Sequence, residues 1–479
     1  MRALESECCV CSMFLGTVLI WLAFYVLTFT SLRICFTNKR RNLGVVLVLM
    51  VVAQLTLKLF DRYYLTAYFP FRAGDETFWI TSLTTYQTNG TIPVTTLAQG
   101  PGIFYASAVF GQLLRLNYAS ALIVLAVGLG CLYILPAFAM YSSFAKGNYV
   151  VAMVGVVLVS MSDVMIYSTT IARPTLFGLF LLPLAMYDMK SLFELPGVQV
   201  LLRLSAVTIL ILVFHTPITY LVLLLTLSVL MILRKASRWT AAYTILAFGI
   251  YGLFLRLALP DLYRIWRVEL FGAYPLNILS DIFGSNFFVL FFCAGVVVVL
   301  FSLAVPHLRV REMLGEARVN DKVVYLVLTG LLIGGAGLVL LKYSSYVALV
   351  YGTPVYFLLL HGWKIPFAVL AVYGLRVSLR DQHRGMGLYV AVSWLVSVAI
   401  VVGFLATYPP VGEFVGLQNL DERFAEFLYY PAFYFIAVGV TTLRTKMPTR
   451  LFNWVALPIL ALFVIPSIIV GTRDLTFLR

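Results

Sequence analysis

Leu43-Gly44-Val45-Val46-Leu47-Val48-Leu49-Met50 and Val151-Ala152-Met153-Val154-Gly155-Val156-Val157-Leu158-Val159 are apolar runs in which polar and apolar residues never alternate. A membrane β-barrel needs that alternation, lipid-facing against lumen-facing, so the two runs exclude it. Each belongs to an apolar stretch of about 18 residues or more, enough for a helix to cross a hydrocarbon core roughly 30 Å thick. Comparable stretches recur from end to end of the 479 residues, of which 62% are hydrophobic and only 11% charged. The sequence therefore reads as an all-α, polytopic helical membrane protein.

Working outward, spans are expected near residues 11–35, 43–60, 119–144, 149–167, 173–189, 200–215, 217–233, 239–257, 286–305, 323–342, 355–377, 386–407, 427–443 and 451–470. That is about fourteen, within a range of 13–15, forming a single transmembrane domain over 1–479 with one long outer loop, 61–117. The net charge of +14 follows this topology. Lys39, Arg40, Arg41, Lys146, Lys190, Arg234, Lys235, Arg238, Arg309, Arg311, Arg318, Arg376, Arg380, Arg384, Arg444, Lys446 and Arg450 all fall on one side, cytoplasmic by the positive-inside rule. Most acids, including Asp75, Glu76, Asp261, Glu269, Asp281, Glu413, Asp421 and Glu422, fall on or close to the other side. The basic excess is matched to anionic lipid headgroups and not to nucleic acid.

The stretch 342–384 fits the count least well. Two crossings there would put Arg380 and Arg384 outside, so 343–353 is read as an outer-surface or re-entrant segment. Lys364, after His361-Gly362-Trp363, then either lines a cavity or snorkels. The first span is too long, and too poorly followed by a small-residue cleavage site, for a signal peptide and is expected to be retained. Cys8, Cys9 and Cys11 lie at one span end while Cys35, Cys131 and Cys293 are scattered, which is not a disulfide framework. With no soluble domain in view, any active site must be built from spans and loops.

The loop 61–117 holds the most informative polar residues. Gly74-Asp75-Glu76-Thr77 sets two adjacent acids beside a bilayer, where a charge is costly unless used. Phe78-Trp79-Ile80 to Tyr86 follows, then Asn89-Gly90-Thr91-Ile92-Pro93 and Gln99-Gly100-Pro101. Two amphipathic helices are expected, one over 75–88 with Phe78, Trp79, Leu83 and Tyr86, the other over 102–116 with Phe104, Tyr105, Phe110, Leu113 and Leu114. Both would lie flat on the outer leaflet. Asp75 has two readings: a helix cap contributing about 1 kcal/mol, or a reactive group. Asn89-Gly90-Thr91 is at once a glycosylation sequon and a turn.

The order of acid pair, interfacial helix, Asn-Gly-Thr-Ile-Pro and Gln99-Gly100-Pro101-Gly102-Ile103-Phe104-Tyr105 resembles the first outer loop of GT-C-fold glycosyltransferases. These are the polyprenyl-phosphate-sugar-dependent membrane enzymes that include protein mannosyltransferases and aminoarabinose transferases. Tyr167-Ser168-Thr169-Thr170-Ile171-Ala172-Arg173-Pro174-Thr175-Leu176-Phe177-Gly178 and Phe214-His215-Thr216-Pro217-Ile218-Thr219 resemble patterns in archaeal members. The resemblance covers roughly residues 43–235. The chain departs from the superfamily in lacking a large outer C-terminal domain and a Trp-Trp-Asp-Tyr-Gly motif, which argues against an oligosaccharyltransferase catalytic subunit.

The resemblance implies an inverting transfer of a hexose-like sugar from a polyprenyl (dolichyl) phosphate to a hydroxyl, on the extracytoplasmic face of the plasma membrane. Such a reaction needs a base near the acceptor, cations on the departing phosphate and an apolar groove for the isoprenoid. Asp75 would be the base, with Glu76 supporting it in acceptor contacts or on a metal. Arg423, Arg173 and Lys342 are the candidate phosphate cations, since a guanidinium can grip two phosphate oxygens. For Arg423, an ion pair with Glu422 or Glu426 is the competing reading. His215 ends an apolar run and would donate to phosphate, orient the acceptor, or join Glu76 on a divalent metal, unless it is an ordinary interfacial residue. Gln99 completes the substrate-binding set. The acceptor is a lipid-linked glycan, a protein or a lipid, and no cofactor is required by the sequence.

The rival from another class is a transporter or lipid flippase without transferase activity. Carriers usually show charges inside spans and two related halves. Here mid-span positions are expected to be nearly free of charge apart from Lys364, and neither half repeats the other. An enzyme would gather Asp75, His215 and Arg423 at one outer cavity, whereas a carrier would place its site near Lys364.

Overall fold

A computed structural model describes residues 2–36, 42–60, 74–92, 100–214, 216–234, 236–258, 287–304, 364–380, 385–407 and 426–451. Among these every regular element is a helix: α1 (Arg2–Cys35), α2 (Leu43–Phe60), α3 (Gly74–Asn89), α4 (Gly102–Leu114), α5 (Tyr118–Leu132), α6 (Ile134–Phe144), α7 (Tyr149–Met161), α8 (Asp163–Thr170), α9 (Pro174–Glu194), α10 (Val198–Phe214), α11 (Thr216–Leu233), α12 (Arg238–Ala258), α13 (Phe287–Ala304), α14 (Lys364–Arg380), α15 (Met386–Thr407) and α16 (Tyr429–Lys446). Two continuous apolar stretches, Tyr118–Phe144 and Pro174–Glu194, are long enough to cross a membrane; several other apolar helices are shorter. The expected span 323–342 and the segment 343–353 lie outside the described residues.

α2 shows how the bundle is solvated. Val45, Val48, Val52, Leu55 and Leu59 form an exposed aliphatic stripe at helical spacing, while Val46, Met50, Ala53 and Leu57 are buried together with Gln54 and Lys58. The polar residues point inward and the greasy ones outward. That polarity suits lipid and is the reverse of a helix designed for water.

One expected span is locally disturbed and another is interrupted. The stretch 119–144 keeps helical backbone through Tyr133 and loses one bond there, because Pro136 lacks an N–H and its ring crowds the carbonyl one turn earlier, at Leu132, where α5 ends. The stretch 149–167 breaks at Ser162, whose backbone is extended; its hydroxyl accepts from the Met165 amide and so caps α8. α7, about 20 Å long by helical rise, is too short to cross a roughly 30 Å core alone. All its residues from Val151 to Met161 are buried, at the centre of the bundle between α1, α2, α6 and α16.

α14 and α16 run side by side in the same direction, with Phe367 against Phe433 and Gly374 against Gly439. A Cβ on Gly374 would overlap the Phe435 carbonyl oxygen, so the glycine permits the backbones to touch. This arrangement carries Arg380 to the same end as Arg444 and Lys446. Lys146 reaches Gly385, and the Arg234 guanidinium sits 4.0 Å from the Tyr389 ring centre, so the basic turns after α6, α11 and before α15 also share one end. The acid pair and α3 belong to the opposite end.

Candidate functional site

At the acid-bearing end, α8 and α9 are joined by a buried, non-helical link, Ile171-Ala172-Arg173. Pro174 dictates it. Proline at the first position of α9 disfavours helical backbone in the residue before it, and Arg173 is accordingly extended (φ −146°, ψ 162°). Irregular backbone at this level is tolerated where protein or a cavity surrounds it.

Charged groups converge on this link. Lys58, on the inner face of α2 and 1% exposed, donates from Nζ to Thr169 Oγ1 at 2.7 Å and to Thr170 Oγ1 at 3.4 Å. Each threonine hydroxyl in turn donates to its own helix, Thr169 to the Met165 carbonyl and Thr170 to the Ile166 carbonyl, both at 2.6 Å. One turn earlier on α2, Gln54 donates to the Ser160 carbonyl at 3.0 Å, just before the break. α5 approaches at Gly130, where a Cβ would overlap the Thr169 carbonyl oxygen and meet Lys58 Cε at 3.0 Å. Arg173, 6% exposed, donates to Glu426 Oε1 at 2.6 Å and to Ser168 Oγ at 3.3 Å. Ser168, Thr169 and Thr170 thus hold two cations on successive hydroxyls, with Glu426 against the second.

The long loop closes over the same place. Trp79 and Leu83 of α3, Ile103 and Phe104 of α4, Leu122 and Ala126 of α5, and Ala172, Leu176 and Phe177 form one buried cluster. Phe177 stacks on Phe214 with ring centres 4.6 Å apart. A Cβ on Gly100 would collide with the Phe214 carbonyl and lie 3.3 Å from Pro174 Cβ; one on Gly102 would come within 2.6 Å of Val213. The Gly100-Pro101-Gly102 turn therefore fits only because it lacks side chains at both contacts. Three segments far apart in sequence, the first loop, Ser168 to Phe177 and Phe214, meet here.

The two loop helices, expected to lie flat on the outer leaflet, also pack on the rest of the protein. α4 ends at Leu114, where Arg115 turns left-handed (φ 56°), and folds back along α5. The Gln87 side chain of α3 accepts from the Tyr118 amide at 3.0 Å, tying α3 to the start of α5. Trp79, Leu83 and Phe104 face protein, while Phe78, Tyr105, Phe110, Leu113 and Leu114 stay exposed. A protein-facing stripe and a lipid-facing stripe have the same composition, so sequence periodicity alone does not separate them.

Asp75 occupies the second position of α3; its side chain lies outside the described residues. Glu76 beside it is 1% exposed and shares the buried face of α3 with Trp79 and Leu83, at the i, i+3 and i+7 positions. Among the four other substrate-binding candidates, His215, Arg423, Lys342 and Gln99 lie outside the described residues. The chain neighbours of two of them, Phe214 and Gly100, are in contact. Lys364 opens α14, and its side chain is likewise outside. Asn89 ends α3 and is exposed. Among the described residues no three His, Cys, Asp or Glu side chains gather as a metal would require.

Glu426, one of the two candidate ion-pair partners for Arg423, bonds to Arg173 across 253 positions, while Arg423 lies outside the described residues. The expectation that charge inside the spans is nearly absent meets an exception: Asp188 of α9 is buried in an ion pair with Arg203 of α10, and Lys58 is buried in the last turn of α2. Lys58 carried one sequence signal, its place four residues after Gln54 on the face opposite the aliphatic stripe.

No protein-family profile and no curated protein matches this chain in sequence. Solved structures do match in shape. The oligosaccharyltransferase of Archaeoglobus fulgidus in its apo form aligns with a TM-score of 0.53 at 12% identity, covering 90% of this chain and 56% of that one. The archaeal oligosaccharyltransferase AglB from Archaeoglobus fulgidus, in complex with an inhibitory peptide and a dolichol-phosphate, aligns with a TM-score of 0.50 at 10% identity, with the same coverage. The chain thus spans a little over half the length of these structures. At such identity the likeness establishes the fold, which is the GT-C fold that the motif order implied.

Proposed function

We propose that this chain is an integral membrane glycosyltransferase of about fourteen crossings, moving a sugar from a polyprenyl phosphate to an acceptor hydroxyl on the outer face of the plasma membrane. The observation that carries this reading is the meeting of the three motif segments around buried cations at the acid-bearing end. The solved structure with a bound dolichol-phosphate supports a lipid-phosphate ligand for this fold.

In this reading the Asp75 carboxylate takes the proton from the acceptor hydroxyl as its oxygen attacks the anomeric carbon. The bond from that carbon to the phosphate breaks, and the phosphate leaves with the electron pair. Attack from the side opposite the leaving group inverts the anomeric centre. Arg173 meets the charge developing on the phosphate, with Arg423 and Lys342 as the other cations. Glu76, His215 and Gln99 shape the acceptor side, and Glu76 with His215 is the pair that would hold a divalent ion.

The test is transfer from radiolabelled dolichyl-phosphate sugars to membrane extract, comparing the purified protein with Asp75→Asn. Loss of a general base predicts a fall of about 100-fold or more. Equal transfer by both proteins would remove Asp75 from the mechanism, and no transfer by the wild type from any such donor would end the reading.

A further inference from the structure

We propose that Lys58 is a phosphate-binding residue for an isoprenoid phosphate ester, held ready by Thr169 and Thr170 beside the start of α9. The inference rests on the transferase reading above and adds to it a cation that lies outside the motifs.

A buried ammonium in an apolar bundle is costly, and ionisable residues at such positions mark binding paths far more often than packing. Lys58 lies in the last turn of α2 but is 1% exposed, so it does not reach out of the bundle as a snorkelling lysine would. It shares the inward face of α2 with Gln54, which bonds to the end of α7 at Ser160, while Lys58 bonds to the last two residues of α8 beside the link to α9. Two of its bonds go to neutral hydroxyls, and the one to Thr170 is long at 3.4 Å. A phosphate oxygen replacing that hydroxyl brings a full negative charge to the ammonium and forms the stronger bond. The surroundings favour an anion for independent reasons. Arg173, bonded to the neighbouring hydroxyl of Ser168, is already paired with Glu426, which leaves Lys58 as the cation bonded to the neutral hydroxyls here, and α9, 21 residues long, points the positive end of its dipole to this spot. Gly130 leaves α5 close enough to hold the Lys58 methylenes in place.

The test measures binding of dolichyl monophosphate, dolichol and inorganic phosphate to the full-length protein in detergent, with Lys58→Gln, Lys58→Arg and the double variant Thr169→Val/Thr170→Val. The wild type is expected to prefer dolichyl monophosphate over dolichol by about tenfold or more. Lys58→Gln should cut that preference by about fivefold or more, the other cations keeping the remainder, while leaving dolichol binding as it was, and Lys58→Arg should restore part of it. A merely structural lysine would alter both lipids together. Should Lys58→Gln not fold, the double variant, which keeps the charge but removes its two hydroxyl partners, should cut the preference by about threefold or more. An undiminished preference in Lys58→Gln, or in the double variant where that one does not fold, overturns the inference while the transferase reading stands. Inorganic phosphate binding as tightly as the lipid would assign the site to a free anion and also overturn it. Absence of any preference in the wild type would strike the donor reading itself.

Discussion

The two ends of this bundle treat the same kind of charge in opposite ways. At the basic end Lys146, Arg380, Lys446 and Arg450 are exposed, on turns between helices that pack through Val151 to Met161, Tyr141 and Tyr434. At the acid-bearing end Lys58 and Arg173 are buried, and the helices around them are broken at Ser162 and at Ile171 to Arg173. Charges of the first kind set orientation in a membrane and need only a headgroup to face. Those of the second kind require built partners, and the fold supplies them at the expense of helix continuity. Burial thus separates chemistry from topology where net charge alone does not.

The contrast can be broken most forcefully at Glu426. Glu426→Ala strands the buried Arg173 and should destabilise the protein by about 3–5 kcal/mol, read from denaturant or thermal unfolding in detergent. A loss below 1 kcal/mol would mean that the pair is effectively solvated. Next comes Gly130→Ala, which forces α5 away from the Thr169 carbonyl and should cost about 1–3 kcal/mol by the same measurement. It should also weaken binding of dolichyl monophosphate, because the Lys58 stem moves with α5. Tyr430→Phe removes the 2.7 Å bond from its hydroxyl to the Leu179 carbonyl within the continuous core, for an expected loss of about 1 kcal/mol. The smallest effect belongs to the basic end. Lys146→Ala should stay within about 0.5 kcal/mol of wild type, and a larger change would show that this end is built, not merely charged.

Much of the architecture was legible from residues alone. α2, α10, α11, α12, α13 and α15 fall within a few residues of the expected spans, because a lipid-solvated helix must be apolar over its length. The loop helices were expected over 75–88 and 102–116 and occur at Gly74–Asn89 and Gly102–Leu114. Arg173 was singled out as a candidate phosphate cation without its carboxylate partner, since Glu426 lies 253 residues away and nothing local links them. The break at Ser162 was missed because one serine in an apolar run seldom stops a helix; it does so here because its hydroxyl caps the next one. Lys58 was not among the sequence candidates, since nothing local shows that Thr169 and Thr170, more than a hundred residues on, would enclose it.

By itself the sequence determined that this chain is helical and apolar, where its helices lie, and which turns share a side, for those properties follow from local hydropathy and from charge counted along the chain. Only the tertiary structure decided which charges are buried, which helices stop inside the bundle and which distant motifs touch. Those outcomes depend on the pairing of surfaces such as Gly100 on Phe214, Lys58 on Thr169 and Glu426 on Arg173. Each is a contact between residues more than a hundred positions apart, and its energy exists only once the helices have come together.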